Sequence, residues 1–240
     1  MALKTNMIWS VAGASGKTGK SMVAANMAYA MAERGLRVAL FDAQDRPGLY
    51  SYFGMERPPD ALEEIHVPVS GGSLTLVNGA PELLKDGRGG LIGDFSKGHS
   101  VVVDIGFPES PEALDFMAAS DASVIVTTPS SEAVHSAYAL LKAFVFRRIT
   151  VLFSDNDFIM DLIRQDTDPR NFGNARRFSD ICSDIAVEFP DAAGRAFMEI
   201  EGFRPRLIIN MAETDEDVLA ADAFKKAVGQ FLSHNIEYVG

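Results

Sequence analysis

From Met7 to Met27 the chain reads M-I-W-S-V-A-G-A-S-G-K-T-G-K-S-M-V-A-A-N-M, and this stretch decides the fold. An apolar run short enough for a buried strand meets a glycine-rich turn, and a helix rich in small residues follows. Glycines let the backbone turn so tightly that successive N–H groups point at one anion. The helix opening near Gly19 adds its positive end to the same spot. The phosphate-loop pattern G-x-x-x-x-G-K-[ST] is met except at its first position, where Ala14 stands; alanine loses little there if φ stays negative. In such a loop Lys20 reaches the outer phosphates and the Ser21 hydroxyl sits on the accompanying magnesium ion. Ala14, Ser15, Gly16, Lys17, Thr18, Gly19, Lys20, Ser21 and Met22 are therefore the expected nucleotide-binding run. The competing reading is a strand-to-helix turn that binds nothing; its position between a strand and a helix favours the phosphate loop.

Working outward, Met22, Ala25, Ala28, Tyr29 and Ala32 recur at helical spacing, and Arg34-Gly35 supplies a stop. Arg37 to Phe41 then predicts a second strand ending at Asp42, which completes a right-handed βαβ unit of a parallel sheet. Ligands of such sheets gather at the carboxyl ends of the strands, so Asp42 is expected to face the loop. The most hydrophobic strand, around Val101-Val102-Val103, delivers Asp104 in the same manner, followed by Ile105-Gly106. An acid at the tip of an apolar strand is costly unless it works on a cation or a donor. Beside Lys20 and Ser21 it reads as a magnesium ligand through water, with a strand-end acid capping the next turn as the alternative.

The remaining segments extend the same pattern. Leu49 to Gly54 predicts a short helix and Ser73 to Val77 a third strand, whereas Pro81 to Gly98 has no definite reading. Ala122 to Thr128 is a buried strand broken by Pro129. Ser130 and Ser131 can cap the next helix, whose apolar stripe runs from Ala133 through Val145 into Arg147-Arg148. Asp155 to Arg204 is more polar, with Arg164, Arg170, Arg176 and Arg177 among Asp155, Asp157, Asp161, Asp166 and Asp168. Two or more helices outside the sheet are expected there, forming either a solvated face or a surface for a partner protein. Arg206 to Asn210 returns to the sheet, Asp217 to Leu232 is an amphipathic helix, and Ile236 to Val239 is a last strand. The predicted fold is thus α/β: a mostly parallel, doubly wound sheet of about seven strands with helices on both faces.

At 240 residues and 47% hydrophobic content the chain fits one large domain, residues 1–240, with ample core. Twenty-two basic residues against 33 acidic ones give a net charge of -11, which argues against nonspecific DNA binding or a general grip on anionic membrane. Cys182, the single cysteine, excludes an intramolecular disulfide and any multi-cysteine site within one chain. No signal peptide or bilayer-spanning stretch is evident, so a cytoplasmic protein is expected.

The segments G-K-S-M-V-A-A-N-M-A, R-V-A-L-F-D-A-Q, V-V-V-D-I-G, I-V-T-T-P and L-I-I-N resemble the successive motifs of the MinD/ParA family of P-loop ATPases, in order and over nearly the whole chain. The stretches D-A-S-V-I-V-T-T-P-S-S-E-A-V-H-S-A-Y-A-L-L-K-A-F and F-R-P-R-L-I-I-N, with the helical insertion at about 155–204, are most similar to FlhG/FleN-type members, MinD-like regulators of flagellar number and placement. The resemblance implies ATP or ADP and Mg2+ as cofactors, and face-to-face homodimers across two nucleotides that separate after hydrolysis. It also implies that Lys20 holds the β- and γ-phosphates, that Ser21 coordinates the magnesium ion, that Asp42 and Asp104 hold it through water, and that Asn210 hydrogen-bonds adenine.

Three departures from the family pattern qualify that expectation. The signature lysine expected at position 15 is Ser15, and Lys17 either replaces it or is an ordinary solvated lysine. The usual D-x-D has become Asp42-Ala43-Gln44. Gln44 cannot take a proton from the attacking water, although a glutamine can position one, and the adjacent Asp45 would need the loop to rotate. The chain stops at Gly240, before the adenine-side loop, final helix and amphipathic membrane-binding helix found among relatives, and only six residues precede Met7, too few for the activating segment of FlhG-type proteins. The expected function is an ATP-dependent dimerisation switch that positions or regulates a cellular assembly, with slow or partner-stimulated hydrolysis. The alternative is a non-catalytic scaffold that keeps the fold. A nitrogenase-reductase-like electron carrier is excluded for want of cluster cysteines.

Overall fold

The structure, a computed structural model, describes residues 6–13, 15–44, 46–79, 84, 90–106, 110–167, 177–202, 205–232 and 236–239. Ala14, Asp45, Asp168, Arg170, Arg176, Phe203 and Arg204 lie outside them, as does most of the 81–89 stretch. The elements run in the order β1 (Ile8–Gly13), α1 (Lys20–Glu33), β2 (Arg37–Asp42), a 3-10 helix (Leu49–Phe53), β3 (Glu64–Val67), β4 (Ser73–Asn78), α2 (Leu91–Ser96), β5 (Ser100–Gly106), α3 (Pro111–Ala119), β6 (Ala122–Thr127) and α4 (Ser131–Leu152). They continue with α5 (Asp157–Thr167), α6 (Phe178–Glu188), α7 (Pro190–Gly202), β7 (Arg206–Ile209), α8 (Asp215–Leu232) and β8 (Glu237–Tyr238).

The strands form one sheet of order β3-β4-β2-β5-β1-β6-β7-β8. All pairings are parallel except β3 with β4. The described sheet thus has eight strands rather than about seven, and the additional one is β3. Its four residues, E-I-H-V, alternate between exposed and half-buried at the sheet edge, so it lacks the apolar run that marks the buried strands.

Pleating divides the strand side chains between two cores. Val38, Leu40, Val102, Val11 and Val124 pack with Ala24, Ala25, Ala28 and Ala32 of α1. Ala39, Phe41, Val101, Val103 and Ile125 face the opposite side and join α4 through Ala137, Leu141, Phe144 and Val145. Small residues let α1 lie close to the sheet, which fixes the height of its first turn above the strand ends.

Ser130 caps α4 by accepting from the Ala133 N–H at 3.2 Å. Ser110 caps α3 in the same way, with Pro111 at its first position, a start signal present in the sequence although no helix was predicted there. At the far end of α4, Arg147 makes a two-pronged pair with Asp115 of α3 at 2.7 and 2.6 Å, and Arg148 reaches Ala118 O and Glu199 of α7.

Among the described residues the polar 155–204 region carries three helices, α5 to α7, and these contribute to the core. Ile159, Ile163, Phe178, Ile181, Ile185, Ala196 and Ile200 are buried in the same cluster as α4. Phe158, Val187, Phe189, Phe197 and Met198 remain exposed.

Ala28 is fully buried between α1 and the sheet, whereas Ala30 on the same helix is exposed. Ala28→Leu is expected to destabilise the fold by about 1–3 kcal/mol through overpacking, and Ala30→Leu to change stability by no more than about 0.5 kcal/mol. Urea midpoints of the two variants measure the difference.

Candidate nucleotide site

β1 runs directly into the loop, and α1 begins at Lys20. Two of the loop's glycines are required by close approach. A side chain at Gly13 would place Cβ 2.7 Å from Thr18 Oγ1 and 3.0 Å from Lys20 Cδ. Gly19 sits at φ 79° as the residue preceding α1, and a side chain there would collide with the Asn210 amide. Lys17 occupies the left-handed region at φ 62°, uncommon for a residue with a side chain, and it is exposed with Gly16. Ser15, Lys20, Ser21 and Met22 are half-buried; Thr18 is buried, and its hydroxyl has no hydrogen-bond partner among the described residues. The first turn of α1 holds no acidic residue and has no side-chain cap, so its N–H groups and positive dipole end are left for an anion.

Strand parity sends both predicted acids to the α1 side. Asp42 shares a face with Val38 and Leu40, and Asp104 with Val102. Asp42 and Asp104 are register partners on the paired strands β2 and β5, and both are buried. Each has one carboxylate oxygen tied down. Asp42 Oδ2 accepts the Gly48 and Leu49 N–H groups at 2.7 and 2.9 Å, and Asp104 Oδ1 accepts the Gly106 N–H at 3.1 Å. The other oxygens, Asp42 Oδ1 and Asp104 Oδ2, converge with Ser21 Oγ.

Gln44 lies at that convergence. Its Nε2 donates to Asp104 Oδ2 at 2.8 Å and stands 3.2 Å from Ser21 Oγ and 3.3 Å from Asp42 Oδ1. Burial pushes the Asp104 carboxyl up to about 6; the Asp42 charge adds to this, while the Ser21 hydroxyl, the Gly106 N–H and Lys20 pull it down.

Among the described residues no three His, Cys, Asp or Glu side chains gather into a metal cage of their own. One hydroxyl and two carboxylate oxygens are hard donors, and they suit a magnesium ion that takes its remaining ligands from water and phosphate. The donor set and the loop therefore fit a magnesium–nucleotide complex.

Asn210 follows β7, where its backbone N–H donates to Thr127 O at 2.8 Å. Its Nδ2 donates to Thr18 O at 2.9 Å, which ties the end of β7 to the loop across 192 residues of sequence. The sequence reading anticipated neither this tie nor the Gly48 and Leu49 anchors on Asp42. In the sequence Asn210 stands out only through family resemblance, and backbone donors leave no residue-type signal.

A mostly parallel sheet, a glycine-rich loop at its carboxyl edge and paired acids beside the loop define a P-loop nucleotide-binding fold. The chain belongs to the CobQ/CobB/MinD/ParA nucleotide binding domain family, whose model matches residues 9–229. Among curated proteins it is similar to the flagellum site-determining protein YlxH of Helicobacter pylori (strain ATCC 700392 / 26695), at 32% identity over 152 residues. That match takes in 55% of this chain and 51% of the relative, so the chain spans about half the length of the curated relative it matches. Among solved structures it is similar to a ParA family ATPase from Chlorobium tepidum TLS, with a TM-score of 0.57 and 19% identity over 96% of this chain and 83% of that one.

Because folding raises the proton affinity of Asp104, its contribution favours the folded state below about pH 4 and is lost as the pH rises through about 6. Without metal, Asp104→Asn is expected to melt higher than the native chain at about pH 7.5, with the gap closing near pH 4. Thermal melts across that range test it.

Proposed function

We propose that this chain is a cytoplasmic ATP- and Mg2+-dependent dimerisation switch that positions or regulates a larger cellular assembly. The observation that carries the reading is the juxtaposition of a loop whose Gly13 and Gly19 have no room for a side chain with three oxygens, from Ser21, Asp42 and Asp104, aimed at one point beside it. In this reading Lys20 binds the outer phosphates, and the loop N–H groups from Ser15 to Ser21 orient them. Ser21, Asp42 and Asp104 hold the magnesium ion, which supplies charge neutralisation of the phosphates when bound. Asn210 contributes to the adenine side while its amide steadies Thr18. The whole chain serves as one ATPase domain, and the helices at about 155–204 are the surface for a protein partner, with Phe158 and Phe189 exposed there.

Family membership and the YlxH similarity support a role in placing an assembly. A net charge of -11 argues against nonspecific DNA as the partner. No helix among the described residues is long and apolar enough to cross a membrane.

Hydrolysis in this reading is slow. Ser15 supplies no cation across a dimer, and Gln44 cannot accept a proton, so part of the electrostatic stabilisation this chemistry depends on is absent. The competing reading, a nucleotide-free scaffold, draws on the same two residues.

Nucleotide affinity and solution mass separate the two. With magnesium and ATP the native chain is expected to bind in the micromolar range and shift from monomer to dimer, and Lys20→Ala to do neither. An unchanged mass without nucleotide binding in the native chain assigns the scaffold role. Turnover by pure protein is expected to fall well below that of an ordinary member of the family, and a matching rate would show that Ser15 and Gln44 are no handicap.

A further inference from the structure

Gln44 holds a position that a water-positioning residue does not need. Its amide nitrogen has two hydrogens and faces three oxygens, so one N–H points at Asp104 Oδ2 and the other is shared between Ser21 Oγ and Asp42 Oδ1. Those are the very oxygens left over once Gly48, Leu49 and Gly106 have taken the remaining ones. The side chain is seated closely as well. A Cβ on Gly106, itself at φ 76°, would lie 2.8 Å from Gln44 Cγ and 3.0 Å from its Oε1, so the missing side chain at 106 makes room for the glutamine.

We propose that Gln44 is a built-in substitute for the hydrated divalent cation: in the metal-free chain its carboxamide bridges Ser21, Asp42 and Asp104, and it must swing out before a cation can engage them. The proposal rests on the reading of those three residues as the cation-facing set. An amide nitrogen within hydrogen-bonding reach of all three oxygens fills the space that a cation and its bound waters require, so the two states exclude one another. In the closed state the amide offers its positive edge to two neighbouring carboxylates, but it carries no net charge, so a cation can displace it, at a cost in affinity set by the hydrogen bonds that break. Gln44 thereby sets the cation concentration at which the site fills. The swing falls to the Gln44 side chain, because the backbone just before it is held by the Ala43 N–H on the Asp104 carbonyl at 3.0 Å.

The test is Mn2+ binding to the nucleotide-free chain, followed by the electron paramagnetic resonance signal of the free ion, with Mg2+ as competitor. Gln44→Ala is expected to bind Mn2+ about tenfold more tightly than the native chain, the change expected on releasing charge-assisted hydrogen bonds. Asp104→Asn should weaken binding in either background, which locates the ion. Gln44→Met keeps the side-chain length but has no donor; it should tighten binding in the same way, and it decides the matter if the alanine variant does not fold. In EDTA Gln44→Ala should melt below the native chain, and in excess Mg2+ the order should reverse. Equal or weaker Mn2+ binding by both Gln44 variants overturns the proposal.

ADP binding by the native chain and by Lys20→Ala, measured in EDTA, reports separately on the nucleotide reading. Its failure leaves the Mn2+ comparison to decide the role of Gln44.

Discussion

The site is built around a repulsion that the fold itself creates. Parallel pairing of β2 with β5 in this register puts Asp42 directly beside Asp104, and burial removes the water that would otherwise screen them. The surrounding geometry answers that repulsion. Backbone N–H groups from Gly48, Leu49 and Gly106 neutralise the outer edges of the pair, Ser21 arrives from the first turn of α1, and Gln44 supplies N–H hydrogens between them. These groups come from three segments, β5, α1 and the stretch after β2, so the site assembles only when the sheet, α1 and the loop after β2 are in place together.

The alanine face of α1 belongs to the same requirement. A helix packed through leucines would ride higher over the sheet and carry Ser21 away from the strand ends. Ala24, Ala25, Ala28 and Ala32 keep the helix low, while Val11, Val38, Leu40 and Val102 supply most of the hydrophobic bulk beneath it. On the opposite face the bulk comes from both partners, with Phe41 and Val103 from the strands and Phe144 and Val145 from α4. The two helices thus meet the sheet with side chains of different size, and the one that presents alanines, α1, opens at the candidate site.

Much of this was legible in the sequence because local pattern and position agree. The run from Met7 to Met27 carries strand, loop and helix signals within one stretch, and the uninterrupted valines before Asp104 identify a strand buried on both faces. Other features were not legible, for separate physical reasons. β3 is short and half-exposed, so period and composition are silent. The helices at 155–202 look solvent-facing because charges dilute their stripes, yet Ile159, Ile163, Ile181 and Ile200 recur often enough to bury one side of each. In the sequence Gln44 stands where the family resemblance puts an acid, which suggests only a lost proton acceptor or a residue that positions water. Its contact with Asp104, 60 residues away, follows from strand register and from the open space at Gly106, neither of which a residue list expresses. Asn210 reaches Thr18 by the same kind of long-range placement.

The margins of the sheet carry a consequence for how copies of the chain can meet. Among the described residues the two outermost strands are four and two residues long, and the longer one exposes Glu64 and His66. Such edges offer few free backbone groups in line and so make poor templates for a strand from another molecule. Self-association by sheet extension, the route by which exposed edges pass into aggregates, is thereby discouraged.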